Sequence, residues 1–159
     1  MDAPEYVPGH DLLADRIVVV TAAAGAGIGF AVAKKAVEEG ATVVISDVHE
    51  RRLDEAADVL AELSGDRPVT SLCDVRDENQ VQGLLDAAVA AHGRIDVMVN
   101  NAGLGGDTPL VEMQDDEWER VLDITLTGAM RCTRAAMRIM GEQGHGVIVN
   151  NASVLGWRA

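Results

Sequence analysis

V-V-V-T-A-A-A-G-A-G-I-G-F, Val18 to Phe30, is the stretch from which the rest of the chain is read. The β-branched run Ile17-Val18-Val19-Val20 stops at Thr21, small residues follow to Gly29, and Phe30-Ala31-Val32-Ala33-Lys34-Lys35-Ala36-Val37 takes up helical spacing. The segment reads as a buried strand, a glycine turn and a helix. A parallel strand covered on both faces is apolar on both, and a turn without bulk lets backbone N–H groups approach a ligand closely. The start of the helix then offers its unpaired N–H groups to an anion, with a pyrophosphate as the expected occupant. Glycine turns also arise for steric reasons alone. The general dinucleotide spacing G-x-G-x-x-G is not met, because Phe30 stands where its third glycine would be, and the pattern present is Gly25-x-Gly27-x-Gly29.

The 159 residues suffice for one domain with a sizeable core, and 48% apolar residues with one Phe, one Tyr and two Trp make that core aliphatic. A formal charge of −13 opposes nucleic acid and anionic membrane surfaces by long-range repulsion, which leaves a small molecule as the expected partner. Cys73 and Cys132 form neither a C-x-x-C pair nor a ligand cluster, and His10, His49, His92 and His145 are scattered. Reduced thiols in a cytoplasm, and no metal site, are therefore expected. Residues 1–15 carry Asp2, Glu5, Asp11 and Asp15 with Pro4, Pro8 and Gly9, which is not a signal-peptide pattern. No uninterrupted apolar run approaches the ~18 residues of a membrane span.

Residues 1–14 read as a tail lying over a sheet edge, and residues 15–159 as one domain. Gly40 closes the first helix, and Thr42-Val43-Val44-Ile45-Ser46 forms a second buried strand ending at Asp47, 20 residues after Gly27. In a dinucleotide fold that position delivers a carboxylate to the adenosine ribose hydroxyls; capping or turn formation before Glu50 is the alternative. A carboxylate there repels a 2′-phosphate, so NAD is expected over NADP. Leu53, Ala56, Ala57, Leu60 and Leu63 stripe a second helix, Val69 to Cys73 is a third strand, and Asp74-Val75 follows at its end. Asp74 suits either the adenine amino group or the cap of the next helix. Val81, Leu84, Leu85, Ala88 and Val89 mark a third helix closed by Gly93, and the strand Ile95 to Val99 runs into Asn100-Asn101-Ala102-Gly103. One long helix from Asp115 to about Met140 and a fifth strand, Gly146 to Asn150, complete the series. Five such alternations predict an α/β, Rossmann-like doubly wound parallel sheet of strand order 3-2-1-4-5. Its switch point lies between strands 1 and 4, where Gly25–Gly29 and Asn100–Gly103 would face each other.

The Thr21…Gly27-Ile28-Gly29 turn, Asp47, Asp74-Val75, Asn100-Asn101-Ala102-Gly103, Asp116-Glu117-Trp118 and Val147-Ile148-Val149-Asn150-Asn151-Ala152-Ser153 together resemble the short-chain dehydrogenase/reductase family, from about Asp15 onward. The resemblance implies a cofactor site at Thr21, Ala24, Gly25, Gly27, Ile28, Gly29, Asp47, Asp74, Val75, Asn101, Ala102 and Gly103. It also implies hydride transfer between a nicotinamide cofactor and an alcohol or ketone carbon. The wording T-A-A-A-G-A-G-I-G, N-N-A-G-L-G-G and N-N-A-S-V-L-G-W-R-A is similar to an actinobacterial subgroup of that family, which extends the implied substrate to a CoA thioester of steroid ring degradation. A homo-oligomer is implied for a complete homologue.

By the same resemblance Ser153 orients the substrate oxygen, and Thr125 stands where the family's helix carries an Asn that completes a proton relay through water. Ala22 stands where the family usually has glycine, and one extra residue precedes Gly27. The family's proton donor is a tyrosine downstream of Ser153, with a lysine one helical turn beyond it. Here the only tyrosine is Tyr6 and the only lysines are Lys34 and Lys35. The 159 residues are therefore expected to be an amino-terminal portion, truncated after strand 5, that binds NAD without turnover and is prone to aggregate along its open fifth strand. A nucleotide-binding or interaction module without hydride chemistry is the alternative. A Rossmann-like methyltransferase shares the glycine turn and acidic strand end but leaves Asn100–Gly103 and Ser153 unexplained.

Overall fold

In the computed structural model, which describes residues 5–105 and 108–153, the β-branched runs become five strands. They are β1 (Ile17–Val20), β2 (Thr42–Asp47), β3 (Val69–Leu72), β4 (Val97–Asn100) and β5 (Val147–Asn150). The order is β3-β2-β1-β4-β5, with Val19 opposite Val44 on one side and Met98 on the other, all in parallel. This is the expected doubly wound order. Five helices connect the strands: α1 (Ile28–Glu38), α2 (Glu50–Ser64), α3 (Glu78–His92), α4 (Asp115–Leu122) and α5 (Gly128–Gln143).

Successive strand residues point to opposite faces, and the core accordingly divides in two. Val18, Val20, Val43 and Ile45 pack with Ala33 and Ala36 of α1 and Leu53, Ala56, Ala57 and Leu60 of α2. Val19, Val44 and Met98 pack with Val81, Leu84 and Leu85 of α3 and Cys132, Ala135 and Ala136 of α5. With α1 and α2 on one face and α3 and α5 on the other, each crossover is right-handed. The sheet edges are β3 and β5. β5 is the more apolar, and Val147 and Val149 remain 55% and 45% exposed. Together with Val97, Val99, Leu13, Ile28 and Val32 they border an apolar groove of about 600 Å³ on the α1 face.

Several local expectations are corrected. The described part of the tail, residues 5–14, lies against the C-terminal end of α1 rather than over a sheet edge. Glu39, a buried carboxylate, accepts the N–H groups of His10 (2.8 Å) and Leu12 (3.2 Å), and Lys35 reaches the Val7 carbonyl at 2.8 Å. The single long helix is interrupted by a wide π turn, Asp123–Thr127, between α4 and α5. The cap of α3 is Asp77, which accepts from Asn79 and Gln80 N–H, and not Asp74. β4 begins only at Val97, because the Gln143 side-chain amide takes up both the N–H and the C=O of Ile95. Leu63 is left half exposed in the last turn of α2. Among the described residues no helix is long and apolar enough to cross a membrane.

Candidate functional site

The C-terminal ends of β1 to β4 converge on a crevice of about 300 Å³, lined among others by Ala22, Asp47, His49, Asp74, Val75, Arg76, Ala102 and Gly103. It lies at the topological switch point, where open α/β sheets bind ligands. Its floor is built by a reciprocal clamp between β1 and β4. Thr21 is 1% exposed, and its Oγ1 accepts the N–H groups of Asn101 and Ala102, both at 3.0 Å. The Asn101 side-chain amide donates to the carbonyls of Thr21 and Ala22, both at 3.1 Å, while its oxygen accepts from the Asn151 amide at 2.9 Å. Thr21 and Asn101 thus direct their polar groups at each other and form the frame of the crevice.

That clamp brings α1 close to the turn. A Cβ on Gly29 would collide with the Ala22 carbonyl and the Asn101 amide, so only glycine fits. Ala22 adopts a left-handed φ of 50°, a conformation that favours glycine, which gives the family-departing residue a strained backbone. Gly27 caps α1 without any side-chain hydrogen bond, and no chain atom lies within 4 Å of a Cβ added to it. Internal packing therefore does not require a glycine at this helix start. The helix start is left open to an approaching anion, which the N-terminal N–H groups of α1 would favour.

Asp47 ends β2 almost wholly buried. Its Oδ2 accepts the Ala24 N–H at 3.2 Å and its Oδ1 the His49 N–H at 3.1 Å, so it both tethers the glycine turn and forms a turn ahead of α2. On the opposite wall the Arg76 side-chain hydrogen bonds hold the Asp74 carboxyl below the usual carboxylate range, and Asp74 raises Arg76 in return. Burial pushes the Cys73 thiol up to about 11 and that of Cys132 to about 12, which leaves both as inert buried groups.

Direct hydrogen bonds thus join Thr21 to Asn101 and Ala102 and, separately, Ala24 to Asp47, and Asp74, Val75 and Gly103 share the crevice with Asp47 and Ala102. Thr125 lies on the π turn and is bonded to the residue after Gly103: its Oγ1 accepts from Leu104 N–H at 3.2 Å and donates to Leu104 C=O at 3.3 Å. Ile28 faces the apolar groove rather than the crevice. Ser153 is exposed just beyond the end of β5. Sequence reasoning missed Arg76, His49 and Asn151. A signal for the last was present, since V-x-V-N-N-A occurs at both 97–102 and 147–152. The two copies lie in register, with Asn100 donating to the Asn150 side chain at 2.8 Å. Among the described residues no group of three His, Cys, Asp or Glu side chains is placed to hold a metal ion.

A doubly wound parallel sheet with a glycine turn clamped to an Asn-Asn-Ala-Gly strand end defines a Rossmann-type dinucleotide-binding protein. Residues 16–159 match the short chain dehydrogenase family, and the chain belongs to it. It is 58% identical over 158 residues to the (5R,7aS)-5-hydroxy-7a-methyl-1-oxo-2,3,5,6,7,7a-hexahydro-1H-indene-carboxyl-CoA reductase of Mycobacterium tuberculosis, an alignment covering 99% of this chain and 60% of the relative. The crystal structure of a short chain dehydrogenase from Mycobacterium smegmatis superposes with a TM-score of 0.95 at 57% identity, covering 99% of this chain and 66% of that one. NAD+-bound xylitol dehydrogenase superposes with a TM-score of 0.88 at 35% identity, covering 93% of this chain and 56% of the other. The chain therefore spans roughly three fifths of the length of the curated relative it matches.

Proposed function

We propose that the chain supplies the NAD-binding part of an oxidoreductase that moves a hydride between NAD and an alcohol or ketone carbon. The substrate class is a CoA thioester from steroid ring breakdown, a reading supported by the reductase relative whose substrate is a ring-bearing carboxyl-CoA. The observation that carries the cofactor assignment is Asp47, whose carboxylate is fixed by Ala24 and His49 N–H groups on the wall of the switch-point crevice. A ribose diol donates hydrogen bonds to such a carboxylate. A 2′-phosphate instead meets a like charge, and two unit charges 4 Å apart repel by about 4 kcal/mol at an effective dielectric constant of about 20. Arg76, the guanidinium lining the crevice, is paired with Asp74, so its charge is already committed.

When bound, the nicotinamide accepts or returns the hydride. The chain's residues hold it. The N-terminus of α1 behind Gly27 receives the pyrophosphate, Asp47 the ribose, and the Ala102-Gly103 backbone borders the path towards the substrate. Ser153 hydrogen-bonds the substrate oxygen. Thr125 donates its hydroxyl proton to Leu104 C=O and accepts from Leu104 N–H, which leaves one lone pair to accept a hydrogen bond from a water. Thr125 therefore anchors a water rather than passing on a proton.

A second reading, nucleotide binding without turnover by these 159 residues, is favoured by Tyr6. The only phenol in the sequence is hydrogen-bonded to Glu38 in the last turn of α1, at the opposite end of that helix from the crevice. Titration of the chain with NADH and NADPH tests the cofactor assignment. Unmutated chain should prefer NADH, and Asp47→Ala should weaken NADH about tenfold or more while sparing NADPH, as expected for loss of a charge-assisted hydrogen bond. Tighter NADPH binding by the unmutated chain, or equal losses for both, would reject it.

A further inference from the structure

We propose that Asn151 is a positioning residue: its side-chain amide joins the strand end that carries Ser153 to the glycine turn, so that a dinucleotide seated on the turn also sets the Ser153 backbone. This rests on the NAD reading above.

The parallel register that pairs Asn100 with Asn150 places two consecutive amide pairs side by side at the ends of β4 and β5. Successive residues of a strand face opposite sides of the sheet. The first pair lies towards α5, where the Asn100 amide donates to Asn150 Oδ1 at 2.8 Å and to Thr133 Oγ1 at 2.9 Å. The second lies towards α1. There the Asn151 amide donates to Asn101 Oδ1 at 2.9 Å, and both residues border the apolar groove. Only this second pair continues to the turn, because the Asn101 amide nitrogen donates to the carbonyls of Thr21 and Ala22, both at 3.1 Å. A primary amide has two donor hydrogens and one acceptor oxygen. With both hydrogens of Asn101 directed at carbonyls, its oxygen is what remains for Asn151, which must present its own NH2. Each amide thus fixes the orientation of the next. Ala22 holds a left-handed φ of 50°, and a Cβ added to Gly29 would collide with both the Ala22 carbonyl and the Asn101 amide. The turn, the start of α1 and Asn101 are therefore in tight contact, and an anion held at that helix start fixes Asn101 with it. At the other end of the link the Asn151 N–H donates to the Asn100 carbonyl at 3.0 Å, and Ser153 follows two residues later.

The test follows the Ser153 backbone amide by heteronuclear NMR while NADH is titrated into the 159-residue chain, with NADH fluorescence giving the affinity. NADH should shift that amide in the unmutated chain. Asn151→Ala should abolish most of the shift, and so should the near-isosteric Asn151→Asp, which turns an oxygen instead of NH2 towards Asn101 Oδ1. Coupling is reciprocal, so Asn151→Ala should also weaken NADH, by about two- to tenfold, the scale of one hydrogen bond. Asn150→Ala cuts the other amide pair one residue earlier and should leave the Ser153 shift in place. Equal silencing by Asn150→Ala would reveal general anchoring of β5 and overturns the inference. A shift that survives in Asn151→Ala and Asn151→Asp overturns it too, as does NADH binding by the unmutated chain without any shift at Ser153; both leave the NAD reading intact. A larger loss of NADH affinity in Asn151→Ala would place the residue in the binding site itself and reject the positioning role. Failure of the unmutated chain to bind NADH overturns both readings.

Discussion

Replacing Thr21 by valine preserves the shape of an almost inaccessible side chain and removes the oxygen at which the glycine turn meets β4. Two backbone N–H groups, of Asn101 and Ala102, then lose their acceptor at 3.0 Å. An unsatisfied buried donor costs about 1–3 kcal/mol. Both residues are only partly buried, so some water access reduces this, and about 2–4 kcal/mol for the pair is expected. Against a total stability of about 5–15 kcal/mol that is a large fraction. At roughly 2–4 °C per kcal/mol for a domain of this size, the melting temperature should fall by on the order of 10 °C. Urea unfolding followed by circular dichroism measures it, with an unchanged m-value showing that the loss lies in the native contacts. Asn101→Ala removes the return bonds to the Thr21 and Ala22 carbonyls. The double variant should therefore be less destabilised than the sum of the singles by about 0.5–3 kcal/mol. A Thr21→Val loss within about 0.5 kcal/mol, the scale of an ordinary surface change, or strict additivity of the two, would refute the clamp.

Three further outcomes follow. Asp96 is buried below β1; burial opposes its ionisation, but the Arg94 side chain and the Ile17 N–H together hold its carboxyl below the usual range. A carboxylate whose folded pKa is depressed contributes stability above the unfolded value of about 3.9 and loses it as pH falls through the lower folded value. Urea midpoints between neutral pH and pH ~3 should therefore drop less steeply in Asp96→Asn than in the unmutated chain, and parallel curves would exclude this role. The 159-residue chain incubated with NAD and a panel of secondary alcohols and hydroxyacyl-CoAs should show no turnover, because Tyr6 is held on α1; measurable NADH formation would contradict that. Val149→Lys, on the exposed edge strand, should lower self-association in analytical ultracentrifugation, as edge charges do. An unchanged sedimentation profile in a self-associating chain would show that β5 is not the sticking surface.

The fold was legible to an unusual depth because its determinants are local. Runs such as Ile17–Val20 and Val43–Ile45 are apolar at every position, glycines stop the helices, and right-handed crossovers leave one economical winding for five such units. Asp47 and Asn100–Gly103 were legible as places for the same reason, since each directly ends a strand and strand ends meet at the switch point. Their duties were a different matter. The family resemblance implies Thr21 and Asn101 as cofactor contacts, but their hydrogen-bond partners lie about 80 positions away in the sequence and are known only once β1 and β4 are paired. Arg76 drew no reading from the sequence, and only the turn after β3 brings its guanidinium onto Asp74. The π turn under Thr125, Asp123–Thr127, holds no glycine or proline to mark it in the sequence, yet it determines which backbone groups the hydroxyl meets. Composition and periodicity thus determine which segments are buried and in what order they stack. Whether a polar side chain at a strand end faces a ligand or another part of the chain depends on hydrogen-bond geometry between distant segments, and only the tertiary structure decides that.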